Sequence, residues 1–237
     1  MSNDRVLLLT GTTDMLRSPA ETDNTYQEVF DATLPSKQRY VKTHGYDLMT
    51  LRSFGTDKRN LFKDTNIGFL RVLRAFDMLE YYDTVMWVDA DSIITNDNFS
   101  INDFQIDKTH SFYASWDWNN IGHSFSTGNF ILHNTKNTKD FFISFLKIGK
   151  QISDTNIWGE EQTTLNYLWK TTHTDDIKIL EHKFLGSIPN KMMYRGIWHG
   201  RPEPQFPWAE ESFLVHIGGV PNKNRIEVAQ TTFKEYL

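Results

Sequence analysis

Two aspartates one residue apart, Asp89 and Asp91, follow the apolar run 85–88 and precede the apolar pair 93–94. Carboxylates at positions i and i+2 of a regular strand point to opposite faces, but both can reach one ion where the strand ends and the chain turns. Carboxylate oxygens suit a hard divalent ion such as Mg²⁺ or Mn²⁺. The pair could instead only cap the strand end and the turn. The apolar residues on both sides bring it out of a core, and this context favours a metal site.

A histidine at the end of another apolar run is the next candidate ligand. His216 ends a strand-like segment, and Gly218 and Gly219 follow it. Glycines let the backbone approach a ligand closely, and the ammonium group of Lys223 suits a phosphate as a point charge. A histidine after a strand is often a buried structural residue. Together with the aspartate pair, however, a neutral imidazole and a diphosphate would complete a coherent Mn²⁺ site.

The elements that would position these residues alternate between strands and helices. Apolar runs predict strands at 6–9, 46–51 and 85–88, and helical spacing of apolar residues predicts helices at 26–44 and 67–82. This order is typical of α/β proteins with a parallel sheet. In such sheets ligands collect at the carboxyl ends of the strands, which is where the aspartate pair lies.

The second half of the chain is more mixed. The pattern predicts strands at 111–116, 129–134, 175–181 and 212–218, and amphipathic helices at 138–152 and 160–170. The segment 186–210 is rich in glycine, proline and tryptophan, and it is predicted to be an irregular loop over a site.

Composition narrows the class of protein. The chain has 237 residues, a formal net charge of −5 and no cysteine. Without a block of like charges, the sequence argues against a protein that binds nucleic acid by neutralising phosphates. Without cysteine, any metal must sit on oxygen or imidazole ligands. The apolar run 6–9 is too short for a signal sequence or a membrane-spanning helix, so we expect a soluble, cytoplasmic protein.

Five segments, in order along the chain, resemble those of metal-dependent GT-A glycosyltransferases. The chain is most similar to the retaining galactosyl-, xylosyl- and mannosyltransferase family of the yeast Golgi and plant xyloglucan synthesis, and the glycogenin-like family shares some of the same marks. The segments are "KQRYVKTHGYDL" (37–48), "GFLRVLRAFDMLEYYDTVMWVDADSIITN" (68–96), "STGNFILHNTKNTKDFF" (126–142), "WGEEQTTLNYL" (158–168) and "VHIGG" (215–219).

The resemblance implies an α/β fold of the GT-A (Rossmann-like) type, with a mixed, mainly parallel central sheet flanked by helices. It implies a single catalytic domain over residues 1–237. The nucleotide-binding half would span about 1–96, and the acceptor and metal half about 97–237.

The resemblance also implies a role for each matching residue. Asp89, Asp91 and His216 would hold the metal ion, Mn²⁺ or Mg²⁺. Gln162 and Glu161 would be the catalytic residues beside the donor sugar. The residues implied to bind the nucleotide or its diphosphate are Thr10, Gly11, Thr12, Arg71, Lys223 and Gly219, and those implied to bind the sugar are Gly128, Asn129 and Glu160.

Three departures from the family pattern bear on the sugar that is bound. Glu160 and Glu161 replace an aspartate pair, His133 replaces an arginine of the central strand, and Lys223 is shifted from the family's position. Two of the implied roles also have structural alternatives. Gln162 could act as a capping partner at the start of a helix, and Glu161 could stabilise the helix dipole.

The implied function is transfer of a hexosyl or pentosyl group from a nucleotide sugar to a hydroxyl group of a glycan or other acceptor, with retention of anomeric configuration, and the expected donor is UDP-linked. The same aspartate pair would also serve a metal-dependent phosphohydrolase or nucleotidyltransferase. A third interpretation is a non-catalytic module that binds a sugar or a nucleotide. The presence of Asp89, Asp91 and His216 together favours an enzyme.

Overall fold

The computed structural model describes residues 4–12, 25–52, 67–104, 106–117, 122–153, 160–189, 207–218, 220 and 222–237. Within them, the strands are β1 (Val6–Gly11), β2 (Asp47–Leu51), β3 (Thr84–Asp89), β4 (Ser92–Ile94), β5 (Phe112–Trp116), β6 (Phe125–His133), β7 (Ile177–Leu180) and β8 (Leu214–His216). The helices are α1 (Thr25–His44), α2 (Ile67–Met78), α3 (Thr138–Ser153), α4 (Glu160–Thr171), α5 (His182–Leu185) and α6 (Asn222–Thr232). Short 3₁₀ turns span Ile101–Phe104, Thr174–Asp176 and Lys234–Tyr236.

The main sheet has the strand order β2-β1-β3-β6-β5-β7. β1 pairs in parallel with β2 and β3, and β5 pairs in parallel with β7, whereas β6 runs antiparallel to both of its neighbours. β1 is buried along its whole length and β3 along nearly all of it, as expected for strands covered on both faces. A separate antiparallel pair joins β4 to β8.

Alternate positions of the strands fill a core on each face of the main sheet. Leu7 and Trp87 belong to the core beneath α2, α3 and α4. Leu8 and Met86, their neighbours in the chain, belong to the opposite core beneath α1 and α5. The period-two alternation of strand side chains therefore places helices on both faces of the sheet. A smaller core lies between α6 and the β4–β8 pair.

The helix predicted at 26–44 is confirmed as α1, and it continues through Pro35. Proline lacks the N–H that would bond the preceding turn. Because Pro35 is exposed, the carbonyl group that loses this bond lies on the solvent side of the helix, where water can serve it. α1 therefore keeps its full length and reaches across the back of the sheet.

Two predicted boundaries were wrong. The second helix ends at Met78 and not at Tyr82, because the N–H groups of Tyr81 and Tyr82 both turn back to the Met78 carbonyl. β6 begins at Phe125, well before the predicted start at 129, so the polar stretch before that position is part of the strand. Neither α5 nor α6 was predicted.

The predicted loop 186–210 falls mostly outside the described residues. Its two described ends are joined, because the N–H of Trp208 donates to the Ile188 carbonyl at 2.8 Å and Ile188 pairs with Pro207. In the described part of the chain, no helix is both long and apolar enough to cross a bilayer.

Candidate functional site

The two aspartates and His216 converge where β3 and β8 end. Asp89 is the last residue of β3, Asp91 lies in the turn into β4, and His216 ends β8 opposite Ser92. The Nε2 atom of His216 is 3.1 Å from Oδ1 of Asp91 and 3.9 Å from Oδ2 of Asp89. One ligand atom from each residue lies within 4.8 Å of the others, so the three side chains could hold a metal ion. Because carboxylates dominate this donor set, it suits Mn²⁺ or Mg²⁺.

The charges of this cluster are strongly coupled. Burial alone would raise the pKa of Asp91, but the attraction of His216 and Arg225 outweighs it and lowers that pKa. Burial alone would lower the pKa of His216, whereas Asp91 and Asp89 raise it above its ordinary value. Asp91 is therefore ionised, and His216 holds its proton to a higher pH than a free histidine does.

Two glycines make room for the imidazole ring. A Cβ on Gly128 would lie 2.6 Å from Cε1 of His216 and 3.2 Å from Oδ2 of Asp89. A Cβ on Gly218 would lie 2.5 Å from Nε2 of His216. The glycines after His216 were expected to let the backbone approach a ligand closely. At Gly218 the group that approaches the backbone is the His216 ring. Gly128 lies beside two of the proposed ligands, and its contact with a sugar stays a prediction.

Arg71 joins the aspartate pair to α4. Its guanidinium donates to both oxygens of Asp89, at 2.7 and 3.0 Å, and to Oε1 of Glu161 at 2.8 Å. A fourth contact, at 3.1 Å, reaches Oγ1 of Thr127 on β6. Glu161 packs against α2 because Gly68 leaves space for its carboxylate, which would lie 2.0 Å from an added Cβ. Arg71, predicted to bind the diphosphate, and Glu161, predicted to be catalytic, are thus members of one ion-pair network.

Gln162 lies at the edge of this network. Its Oε1 atom accepts from the N–H of Thr127 at 3.3 Å, and its Nε2 atom donates to Oδ2 of Asp117 at 3.2 Å. Asn166, one turn further along α4, binds both backbone groups of Phe125. These contacts fasten the start of α4 to β6 and give the Gln162 carboxamide a fixed orientation.

The predicted nucleotide residues lie at the end of β1. Gly11 is in register with Asp89 on β3 and with Leu51 on β2. A Cβ on Gly11 would lie 2.6 Å from the Leu51 carbonyl oxygen, so the close strand packing requires glycine here. The hydroxyl groups of Thr10 and Thr12 are buried and have no hydrogen-bond partner among the described residues.

Asn129 supports the turn that carries the aspartates. Its Oδ1 atom accepts from the N–H of Asp89 at 3.1 Å and from the hydroxyl of Ser92 at 2.9 Å. Its Nδ2 atom donates to the Leu185 carbonyl at 3.2 Å. The side chain is almost fully buried, so these protein contacts define its surroundings, and its predicted contact with a sugar stays a prediction.

The remaining predicted residues cannot be placed in this geometry. Gly219 and the side chains of Glu160 and Lys223 lie outside the described part of the structure.

Sequence reasoning missed two buried cations beside the aspartates, Arg225 and Lys37. Arg225 donates to Oδ2 of Asp91 at 2.9 Å and to the carbonyls of Val220 and Gly218 at 2.9 and 2.8 Å. Helical spacing was the signal that could have revealed them as buried. Each cation is followed, three and four positions later, by two buried residues. The pairs are Val228 and Ala229 after Arg225, and Tyr40 and Val41 after Lys37.

No family model and no curated protein matches the sequence. Solved structures match over most of the chain. A glycosyltransferase involved in the glycosylation of the major capsid of PBCV-1 aligns with a TM-score of 0.63 and 15% identity, covering 94% of this chain and 97% of that one. The galactosyltransferase LgtC, in complex with donor and acceptor sugar analogs, aligns with a TM-score of 0.52 and 12% identity, covering 98% and 100%.

Mouse xyloside xylosyltransferase 1 aligns with a TM-score of 0.53 and 10% identity, covering 92% of this chain and 99% of that one. The mixed sheet with helices on both faces agrees with this similarity. The chain therefore has the fold of the GT-A glycosyltransferases, and the predicted fold class is confirmed.

Proposed function

We propose that the protein transfers a hexosyl or pentosyl group from a UDP-linked sugar to an acceptor hydroxyl, with retention of anomeric configuration. The observation that carries the proposal is the convergence of Asp89, Asp91 and His216 beside the end of β3, in a chain with a glycosyltransferase fold. Ligands of such α/β sheets bind outside the carboxyl ends of the strands.

Asp89, Asp91 and His216 would hold a divalent ion, Mn²⁺ or Mg²⁺, which their donor atoms fit. When bound, such an ion stabilises negative charge on a departing diphosphate. His216 must be neutral to serve as a ligand, so the proton that it shares with Asp91 has to leave first. Arg71 and Arg225 hold the carboxylates of Asp89 and Asp91 in place.

The end of β1 is the proposed nucleotide site. The buried hydroxyls of Thr10 and Thr12 lack a partner among the described residues, and a buried polar group without a partner is costly unless a ligand or water serves it. A nucleoside carries both hydrogen-bond donors and hydrogen-bond acceptors. Gly219 and Lys223 are proposed to meet the diphosphate, where an ammonium group offsets the charge of the leaving group.

The donor sugar is proposed to lie over β6, beside Gln162. The oriented carboxamide of Gln162 supplies a dipole that can stabilise an oxocarbenium-like centre. A carboxamide is a poor nucleophile, so attack by the acceptor hydroxyl on the face of the leaving group fits better than a covalent intermediate. Glu161, Glu160, Gly128 and Asn129 are proposed to shape the sugar site around it.

The first test is a thermal-shift screen of UDP-, GDP- and CMP-sugars, each with and without Mn²⁺. We expect one UDP-sugar to raise the Tm of the wild-type protein only when Mn²⁺ is present. Asp91→Asn should abolish this shift. Asp140→Asn, a change of the same kind at an exposed position on α3, should leave it intact.

The outcomes separate the three interpretations. Sugar transfer to a candidate acceptor supports the proposal, and an α-linked product from an α-linked donor supports retention, which NMR of the product measures. Release of phosphate or pyrophosphate without transfer would favour a phosphohydrolase or nucleotidyltransferase. Saturable binding without turnover for any acceptor would favour a binding module.

A further inference from the structure

α1 presents a buried polar face towards the turn that carries the aspartates. Thr33, Ser36 and Lys37 are fully buried, and their spacing places them on one side of the helix. A helix that only covered an apolar core would carry apolar side chains at such positions. The polar face therefore calls for a specific set of partners.

Two of these residues hold the carbonyl groups of Ala90 and Ser92, the neighbours of Asp91 in the chain. The hydroxyl of Thr33 donates to the Ala90 carbonyl at 2.5 Å, and Nζ of Lys37 donates to the Ser92 carbonyl at 2.6 Å. Lys37 also donates to the Thr33 hydroxyl at 3.0 Å, which links the two contacts.

The remaining contacts complete the support of the turn. The carbonyl of Asp91 itself accepts from the N–H of Ile217 at 2.9 Å, so three successive carbonyls are held from α1 and from the end of β8. Ser36 acts further along, because its hydroxyl accepts from the N–H of Ile94 inside β4 at 3.2 Å.

Lys37 is a costly residue for this position. A buried ammonium loses its hydration, and apolar residues of similar volume often serve stability equally well or better. No carboxylate of the described residues forms an ion pair with Lys37, which donates to a hydroxyl and a carbonyl. A role in stability alone does not explain a lysine here, whereas a role in fixing the turn does.

We propose that Thr33 and Lys37 are positioning residues that fix the carbonyl groups of Ala90 and Ser92 on either side of Asp91, and with them the direction of the Asp91 carboxylate towards Asp89 and His216. This inference rests on the proposed metal site and deepens it. Groups that orient the ligands of a metal typically change metal affinity by about 10- to 100-fold when they are removed.

The test measures Mn²⁺ affinity of the full chain from the EPR signal of free Mn²⁺. Thr33→Val keeps the shape of the side chain and removes the hydroxyl, and we expect it to weaken Mn²⁺ binding by at least about 10-fold. Thr33→Ser restores the hydroxyl and should bind like wild type. Ser36→Ala, on the same buried face but bonded beyond the turn, should change affinity by less than about 3-fold even if its Tm falls.

Lys37→Met adds a test that does not depend on how Thr33→Val folds. Removal of the amino group cannot weaken binding of a divalent cation through charge, because a charged Lys37 repels the cation and a neutral Lys37 carries no charge. A weaker affinity in Lys37→Met therefore supports positioning, and an unchanged or stronger affinity would overturn it.

Wild-type-like affinity in Thr33→Val, or an equal loss in Ser36→Ala, would also overturn the positioning role while leaving the metal site intact. A wild-type protein that binds no Mn²⁺ or Mg²⁺ would overturn the proposed metal site and this inference together, so the two failures are distinguishable.

Discussion

Asp91 is the central residue of the candidate site. One carboxylate oxygen meets His216, the other meets Arg225, and its backbone carbonyl meets Ile217. A buried carboxylate with this many partners is held in one direction, which a metal ligand requires and a simple turn residue does not. The same partners make Asp91 sensitive to the loss of any one of them.

Arg225→Gln should lower the free energy of unfolding by about 3–5 kcal/mol, because it leaves a buried carboxylate without its cation. Both side chains of this pair are only 9% exposed. Arg52→Gln is the matched control, because Arg52 and Asp31 form a pair whose side chains are 55% and 51% exposed. It should cost less than about 1 kcal/mol. Urea denaturation measures both, and equal losses would contradict the importance of burial here.

The stabilisation by Mn²⁺ should shrink as the pH falls from 8.5 to 6, a range of pH values chosen to cross the ordinary histidine pKa of about 6.5. Asp91 raises the pKa of His216, so protons compete with the metal at a higher pH than for a free histidine. Relative to His216→Gln, the metal-free wild-type protein should instead gain stability as the pH falls through this range. Its His216–Asp91 ion pair contributes fully below the unfolded pKa and is lost as the pH rises through the raised folded value.

Thermal shifts with and without Mn²⁺ across this range measure both trends. His216→Gln should remove the pH dependence of the Mn²⁺ shift. In the metal-free state, the difference in Tm between the wild type and this variant isolates the contribution of His216 from that of Lys37. A Mn²⁺ shift that is independent of pH in the wild type would argue against His216 as a ligand.

At the scale of elements, Gly128 shows how closely β6 and β8 approach. Gly128→Ala should displace the His216 ring, because the new Cβ would lie 2.6 Å from it, and Mn²⁺ affinity should fall by about 10-fold or more. Gly45→Ala tests glycine loss without this contact, since Gly45 has φ +69° and nothing within 4 Å of an added Cβ.

The Gly45→Ala variant should lose about 1 kcal/mol of stability from its left-handed backbone. Its Mn²⁺ affinity should stay unchanged in the same EPR titration. Equal affinities of the two variants would mean that the ring can move aside freely.

Elements with strong periodicity could be predicted from the sequence, and elements that depend on packing could not. β3 and the first three helices carry apolar residues at clear spacing, and the convergence of Asp89 and Asp91 followed from the strand end. α6 packs on the β4–β8 pair through a short apolar face that includes Val228 and Ala229. With Arg225 on the buried side, its pattern does not stand out.

The candidate site was predictable where a motif carried it and unpredictable where it depended on tertiary contacts. The Asp–Asp–His group was found, but Lys37 and Arg225 were not, because a buried cation looks like a surface residue in a sequence. Gly11 and Asn129 were predicted to contact a ligand, and both lie near the site. The structure shows that close strand packing accounts for the contacts of Gly11, and support of the aspartate turn accounts for those of Asn129.

At the scale of the whole molecule, Lys37 should give the folding equilibrium a distinct pH dependence. Burial lowers its pKa from 10.5 to about 7, against the attraction of Asp91 and Asp89. Between these values the unfolded chain binds a proton that the folded chain has lost, so stability rises with pH. The contribution is about 1.4 kcal/mol per pH unit.

Comparison with Lys37→Met isolates this contribution. From pH 7 to 9 the wild-type protein should gain stability relative to the variant, as measured by urea denaturation of the metal-free proteins. Parallel pH profiles would mean that Lys37 stays charged in the folded state throughout this range.

The pairing of β4 with β8 also has a consequence for how the molecule is made. Asp91 and His216, which meet there, are separated by 125 positions along the chain. Contacts between such distant segments form late in folding, because a long loop must close before these contacts can stabilise the chain. During synthesis both aspartates leave the ribosome long before the imidazole does. The candidate ion-binding group is therefore complete only after β8 has emerged and paired with β4.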